Sequence, residues 1–575
     1  VLIYRFGPFV LDPAERALRR DGGNMAVPGK AWQILVMLAE AAGRLVTHET
    51  MRAKLWPNIV VEDRTLTVHV STLRKALGSG AYIETVAGVG YRLAVPVQVM
   101  AKAGSATTQA SLLPVSRRLA VRPFSTTGLA PNDRYLGVGM ADALTNMLSA
   151  IPGLTVAPVA VADRISSGSD TLEAVRPPGM DQMLEGSVDL NDERLQVSAR
   201  LVDTSTGRTR LAETFARSHA SASTLQEAIT QWVAQSMLQS TDLDPVRSYH
   251  PRSSEAFFLQ LQARASLRAH APVPAMRALV LFEQAVAADP DYGLAHAGLA
   301  SSYMLLGSTA IRRPLPIEEA MPMARQSAER ALALDEKLDE AWAVLGRIKM
   351  EYDWDWEGAE ADLAHAVALN PSSVDGLISY GQFLGTMGHL REAVEVLQQA
   401  LRVDATAAEA MNLLGFIHSI AGDADRALDL LGRMARFPGY RWRALLSRIL
   451  VLDEFGRRDE AMQQRLDWLR LEERRPDLAD GLADTNRTRG WEAAMDEWIE
   501  MMERASRWTA AAFQSAVAGR SDHALECLEH ARSQRFANFP LLLQGPSLRS
   551  LRGHPRFRAI LRGLRLEGRS FLEPQ

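Results

Sequence analysis

The stretch that decides the fold is VEDRTLTVHVSTLRKAL, Val61 to Leu77. Leu66, Val70, Leu73 and Leu77 fall at i, i+4, i+7 and i+11, which lays one apolar stripe along a helix. At about 100° per residue, Arg64, Thr67, Ser71 and Lys75 gather on the opposite face, with Arg74 at its edge. Asp63 is placed to cap the start. A helix with a packed back and a hydroxyl-plus-cation front suits the DNA major groove: Arg and Lys meet phosphates or guanine edges, and Ser and Thr reach either. The same front, taken alone, also fits an ordinary solvated helix face. His69 lies toward the side of the stripe, where DNA contact and simple packing are both open.

The flanking sequence decides between the two. Upstream, YRFGPFVLD (Tyr4 to Asp12) reads as a strand, and RALRRDGGNMAVP (Arg16 to Pro28) as strand, Gly-Gly turn, strand. Lys30 to Ala42 reads as a helix with Trp32, Leu35, Val36, Leu38 and Ala39 inward, ended by Gly43. Thr47 is the expected N-cap of a second helix, Thr47 to Leu55. Downstream, Ile83-Glu84-Thr85-Val86, then Gly88, Gly90 and Tyr91-Arg92-Leu93, make a two-strand ribbon with a Gly-rich tip. Several independent levels agree, so the basic face is read as a DNA face.

Together, VEDRTLTVHVSTLRKAL and IETVAGVGYRL resemble the effector domain of OmpR/PhoB-type response regulators, a winged helix-turn-helix, over residues 3–95. The resemblance implies that the third helix enters the major groove and the hairpin tip the adjacent minor groove. It implies DNA contacts from Arg64, Thr67, His69, Ser71, Arg74 and Thr85; the helix pattern adds Lys75. Two departures stand out. Many relatives carry basic residues where this chain has Ser71-Thr72, and an Arg in the wing where it has Ala87. Each missing cation removes a phosphate contact and about one unit of salt slope. The expectation is weaker binding per domain and more reliance on self-association.

Residues 101–116 (AKAGSATTQASLLPVS) are Ala/Ser/Thr-rich and aperiodic, as a linker is. Strands at Arg118 to Phe124 and Leu154 to Val161 bracket a helix from Tyr135 to Ala150. Three more strands follow, at Gln182 to Val188, Leu195 to Val202 and Thr209 to Phe215, with a closing helix at Thr224 to Leu238. The series LAVRPF, YLGVGMADALTNMLSAIPGLTV, LEGSV and ARLVDTSTGR resembles the amino-terminal domain of TolB and related α/β modules, which implies a fold and no activity.

From about residue 251 the pattern is helical and repetitive. Gly346, Gly381 and Gly415 recur at 35 and 34 residues; Ala324, Ala359, Ala393 and Ala427 at 35, 34 and 34. This period with small residues at fixed places resembles the tetratricopeptide repeat. Small residues let paired helices approach, while Trp342, Leu345, Leu363, Leu377 and Leu397 fill the space between. About seven units are expected: a first at about 255–290, an insertion around Gly307 to Pro322, and three degenerate units at the end. The expected architecture is therefore multidomain: an α+β winged helix-turn-helix (1–98), a linker (99–116), an α/β domain (117–240) and an all-α tetratricopeptide superhelix (251–575).

Composition sets bounds on function. With 64 basic against 68 acidic residues, any basic footprint is local. One cysteine, Cys527, can neither close an internal disulfide nor supply a cysteine zinc site. Ala143 to Ala162 is uncharged and long enough to span a bilayer, but Pro152-Gly153 and Pro158 break it, so a helix end, a turn and a strand are expected there. Gly137-Val138-Gly139 lacks the third glycine of a dinucleotide loop, and Gly23 to Lys30 has the wrong spacing for a phosphate loop. Asp189, Asp192 and Glu193 fit a solvated hairpin turn better than a cation site. The 12 histidines show no metal-ligand spacing, and no catalytic triad can be assembled.

The expectation is a cytoplasmic, one-component transcription regulator, not an enzyme, with no cofactor, metal or membrane partner. The sequence opens on the first strand of the winged helix, so no receiver domain is expected before it. The arrangement resembles HilA/CadC-like regulators, without the membrane span that some relatives carry. Expected partners are promoter DNA and, through the repeats, a protein or a second copy. The alternative is a repeat-based adaptor whose winged helix is a docking module.

Overall fold

The computed structural model describes residues 2–6, 9–12, 17–20, 23–25, 27, 29–40, 45–55, 63–78, 82–86, 89–95, 97–101, 117–151, 153–157, 180–191, 194–238, 251–267, 272–308, 315–535 and 538–569. The chain forms two compact units, Val1–Leu112 and Leu113–Gln575.

In the first unit, β1 (Leu2–Phe6), β2 (Phe9–Asp12), β3 (Ala17–Arg20) and β4 (Gly23–Met25) precede α1 (Gly29–Glu40). Then come β5 (Val46–Thr47), α2 (His48–Leu55), α3 (Asp63–Ala76), β6 (Ile83–Val86), β7 (Gly90–Leu93) and β8 (Val97–Ala101). The strands make one sheet in the order β4-β3-β2-β1-β8 and a second in the order β5-β7-β6. YRFGPFVLD is not the single strand expected. It is two antiparallel strands with Phe6 opposite Phe9 and Tyr4 opposite Leu11. Gly7-Pro8, which separates them in the sequence, lies outside the described residues. Strand β8 pairs along the whole of β1, from Phe6 opposite Val97 to Leu2 opposite Ala101.

The core of this unit is built where the stripe pointed. Leu66, Val70, Leu73 and Leu77 are at most 1% exposed, packed with Ile34, Leu35 and Leu38 of α1 and with Tyr91 and Leu93 of β7.

The second unit begins with β9 (Arg117–Val121), α4 (Tyr135–Ser149), β10 (Leu154–Ala157), β11 (Gln182–Leu190), β12 (Arg194–Asp203), β13 (Thr209–Ser218) and α5 (Thr224–Leu238). The sheet order is β10-β9-β11-β12-β13, parallel among β10, β9 and β11 and antiparallel from β11 onward. Of the uncharged stretch from Ala143, the described part is the end of α4 followed by β10, with residues 152 and 158–162 outside the described residues, and among the described residues no helix is long and apolar enough to cross a membrane.

Helical hairpins follow: α6 (Ser254–Leu267) with α7 (Pro272–Ala288), α8 (Gly293–Ser308) with α9 (Ile317–Leu334), α10 (Asp339–Ile348) with α11 (Trp356–Leu369), and α12 (Val374–Thr386) with α13 (Leu390–Val403). Next are α14 (Ala408–Ile420) with α15 (Ala424–Met434), α16 (Arg441–Glu454) with α17 (Arg458–Leu471), α18 (Pro476–Arg489) with α19 (Trp491–Arg504), and α20 (Trp508–Val517) with α21 (Ser521–Ser533). The chain ends in α22 (Phe539–Leu542) and α23 (Pro555–Gly563). Eight hairpins are thus described, one more than the spacing suggested. The pair α18/α19 escaped because α18 buries only Ala479 and Leu482, so its apolar period is faint.

The periodic glycines hold the hairpins closed. A Cβ added at Gly346 would lie 2.6 Å from Leu363 Cγ; at Gly381, 2.6 Å from Leu397 Cγ; at Gly415, 3.0 Å from Leu431 Cγ. The α/β domain and the repeats share an apolar cluster: Phe257 and Leu261 of α6, which packs on α4, lie in the same cluster as Leu119, Met140 and Leu195. A Cβ at Gly139 would sit 2.4 Å from the Leu261 carbonyl oxygen, and one at Gly137 2.3 Å from that of Phe124. The Gly-Val-Gly of α4 is therefore a packing device. At the far end, the C-terminal segment turns back. Gln544 Nε2 donates to the carbonyls of Gly385 (2.8 Å) and Thr386 (3.0 Å), and Ser547 Oγ donates to Glu454 Oε1 (3.1 Å).

Candidate nucleic-acid interface

The interface is built on α3 and the β6–β7 hairpin. The Thr47 hydroxyl accepts from the Thr50 N–H at 3.2 Å, so α2 starts on the expected cap. The His48 N–H donates to the Val89 carbonyl (2.9 Å), and Val46 pairs with Tyr91, which fastens the hairpin to the start of α2. Gly90 is needed there, because a Cβ would lie 2.1 Å from the Val46 carbonyl oxygen.

On the front of α3, Thr67, Ser71 and Lys75 are exposed. Arg64 lies in the first turn of α3, and its side chain, like that of Asp63, is outside the described residues. His69 is half-buried, on the flank between the stripe and the front. Arg74 is half-buried too and reaches sideways: its Nη2 donates to the Ile83 carbonyl and to the Thr85 hydroxyl, both at 2.7 Å. The structure thus brings Arg74 and Thr85 together, one from the helix and one from the wing. Ala87 and Gly88 at the wing tip lie outside the described residues.

Across the wing, Arg92 grips Glu84 with two bonds, Nε to Oε2 at 2.9 Å and Nη2 to Oε1 at 3.1 Å. The Arg92 hydrogen bond holds the Glu84 carboxyl below its ordinary range, and the carboxylate in turn raises Arg92. A negative charge that would oppose DNA phosphate is therefore neutralised in place.

Sequence reasoning missed Val68, which is 58% exposed on the front of α3. Its signal was available: Arg64, Val68, Ser71 and Lys75 repeat the i, i+4, i+7, i+11 spacing of the buried stripe on the other side. An exposed Val there has the chemistry to meet a thymine methyl. Val89, in the wing turn, is exposed as well.

Residues 22–93 match the family described as "Transcriptional regulatory protein, C terminal". The fold, the exposed front of α3 and this match define a DNA-binding transcriptional regulator with an OmpR/PhoB-type winged helix, a mixed α/β domain and a tetratricopeptide-like helical region. The chain is similar to the transcriptional regulator HilA of Salmonella typhi, 26% identical over 414 residues, which is 70% of this chain and 71% of that one. It is also similar to the transcriptional activator CadC of Escherichia coli K12, 28% identical over 100 residues, 16% of this chain and 20% of that one. Among solved structures, the RstA DNA-binding domain of Klebsiella pneumoniae, in complex with the RstA box, is 28% identical; the match covers 16% of this chain and 96% of that one, with a TM-score of 0.15.

Proposed function

We propose that α3 lies in the major groove of promoter DNA with Arg64, Thr67, Ser71 and Lys75 facing it, and with Val68 adding an apolar contact. The observation that carries this reading is the two-faced helix: a stripe at most 1% exposed on one side, and Thr67, Val68, Ser71 and Lys75 open to solvent on the other. Arg74 and Thr85 act together. Their hydrogen bond presets the angle between helix and wing, with Arg74 Nε buried behind it. His69 supports the flank of α3.

The repeats engage a protein partner or a second copy of the chain, which sets how many winged helices meet one promoter. Exposed Met276 and Val280, one turn apart on α7, support an apolar contact there. The protein acts by binding, not by catalysis, in the cytoplasm where the chromosome is.

Footprinting of the full-length protein tests the reading. Charge reversal by Arg64→Glu together with Lys75→Glu is expected to abolish protection of a bound promoter while leaving the far-UV spectrum unchanged. Protection that persists in the folded double variant rejects it.

A further inference from the structure

Outside the DNA-binding unit, three side chains with metal-ligating atoms converge at the C-terminal end of the repeats. Glu503 lies in the last turn of α19, and His523 and Cys527 stand one turn apart on α21. His523 Nε2 lies 2.7 Å from Glu503 Oε1, and Cys527 Sγ lies 3.4 Å from the same oxygen. All three donor atoms fall within 4.8 Å of one another. We propose that Glu503, His523 and Cys527 form a site for one zinc ion, a borderline-soft dication that accepts a mixed S, N and O donor set.

Two of the three donor pairs lie close to the separations of a zinc site. Zinc bonds of about 2.0–2.3 Å in a tetrahedron need donors roughly 3.3–3.7 Å apart. The Sγ–Oε1 separation already matches, and the Nε2–Oε1 pair needs to open by about half an ångström to reach that range. Cys527 is 1% exposed and closes the floor, while Glu503 and His523 are half-buried and form the mouth. The cluster therefore has a buried floor and a partly exposed mouth. A second carboxylate stands behind the ring: Glu526 Oε2 is 4.0 Å from His523 Nδ1. That is the side from which a carboxylate fixes the tautomer and raises the basicity of a metal-bound imidazole.

The charges agree as well. A thiolate, a carboxylate and a neutral imidazole together balance a dication, so the half-buried seat holds no net charge. Without a cation the Cys527 thiol donates to Glu503, and its proton is the one that a metal ion would displace. The sequence hid this site because the spacing is mixed: one His and one Cys four apart, with the third ligand from the preceding hairpin. The ion would pin α19 to α21, clamping the last two full hairpins together.

Cobalt titration of the full-length protein tests it, since Cys527 is the chain's single cysteine and any thiolate-to-cobalt band must come from it. The expected result is a near-ultraviolet charge-transfer band that saturates at one equivalent and is displaced by zinc. Cys527→Ala removes the band, and His523→Gln and Glu503→Gln weaken cobalt binding by at least about tenfold. His523 sits at the mouth, so His523→Gln is read in a protein whose circular dichroism is native. Absence of the band in the native protein overturns the site. So does zinc stoichiometry unchanged in Cys527→Ala, or unweakened cobalt affinity in a folded His523→Gln.

Discussion

The indole N–H of Trp356 donates to the carbonyl oxygen of Leu564, 2.9 Å away and 208 residues along the chain. Trp356 opens the second helix of the third hairpin, and Leu564 directly follows the last helix. The bond is buried, so Trp356→Phe leaves the Leu564 carbonyl without its partner, at about 1–3 kcal/mol. Urea denaturation of the full-length variant is expected to show that loss. A midpoint equal to wild type would mean the C-terminal turn-back contributes nothing to stability.

Gly381 and Gly439 give opposite outcomes for the same change. At Gly381 the added methyl meets Leu397 Cγ at 2.6 Å, and overpacking of this kind costs about 1–3 kcal/mol. At Gly439 nothing lies within 4 Å and φ is not in the left-handed region, so Gly439→Ala is expected to stay within about 0.5 kcal/mol of wild type. Thermal melts of the two variants side by side check the contrast.

Asp453 and Arg465 are both fully buried and hydrogen-bonded, and Gln514 accepts from the same guanidinium. Desolvation raises the Asp453 carboxyl and lowers the Arg465 guanidinium. Arg465→Met strands a buried carboxylate and is expected to cost about 3–5 kcal/mol, while adding Asp453→Leu recovers most of it. A double variant no more stable than Arg465→Met alone would show that packing around Trp498, not charge, sets the loss.

Asp203 accepts from the Ser205 hydroxyl and the Thr206 N–H in the turn after β12, and these bonds lower its carboxyl to about 2. A depressed folded value means the stabilisation is present above the ordinary carboxyl range and disappears as pH falls through about 2. A carboxyl-carbon NMR titration is expected to show Asp203 still ionised at pH 3. Asp203→Asn removes that acid-range dependence.

On the DNA side, Lys75→Ala is expected to weaken promoter binding about equally across sequences and to reduce the salt slope by about one. Thr85→Val, which breaks the bond from Arg74, is expected to lower affinity without changing that slope. Quantitative gel shifts over a salt series separate the two.

The parts legible in the sequence were those with a repeating physical period. The stripe Leu66–Val70–Leu73–Leu77 predicted α3 within a residue or two, and the glycines at 346, 381 and 415 predicted where paired helices approach closely, although Leu363 and Leu397, expected between repeats, meet those glycines within a hairpin. Three things had no such period. The run Tyr4 to Asp12, which alternation alone reads as one strand, is two antiparallel strands. The bond from Trp356 to Leu564 depends on how the repeats curve, which no local pattern records. Val68 was legible but was passed over, because apolar residues are habitually assigned inward, and only its register with Arg64 and Lys75 marks it as outward.

A stack of helical hairpins is ordinarily sticky at its two termini, where the last unit has no neighbour to cover it. Here Phe257 and Leu261 of the first hairpin pack into the core of the α/β domain, where α4 lies against α6, and the last hairpin meets the chain's own tail, α21 against α23. The apolar surface that an uncapped stack leaves open to other chains is thus taken up, at both ends of the described helices, within the same chain.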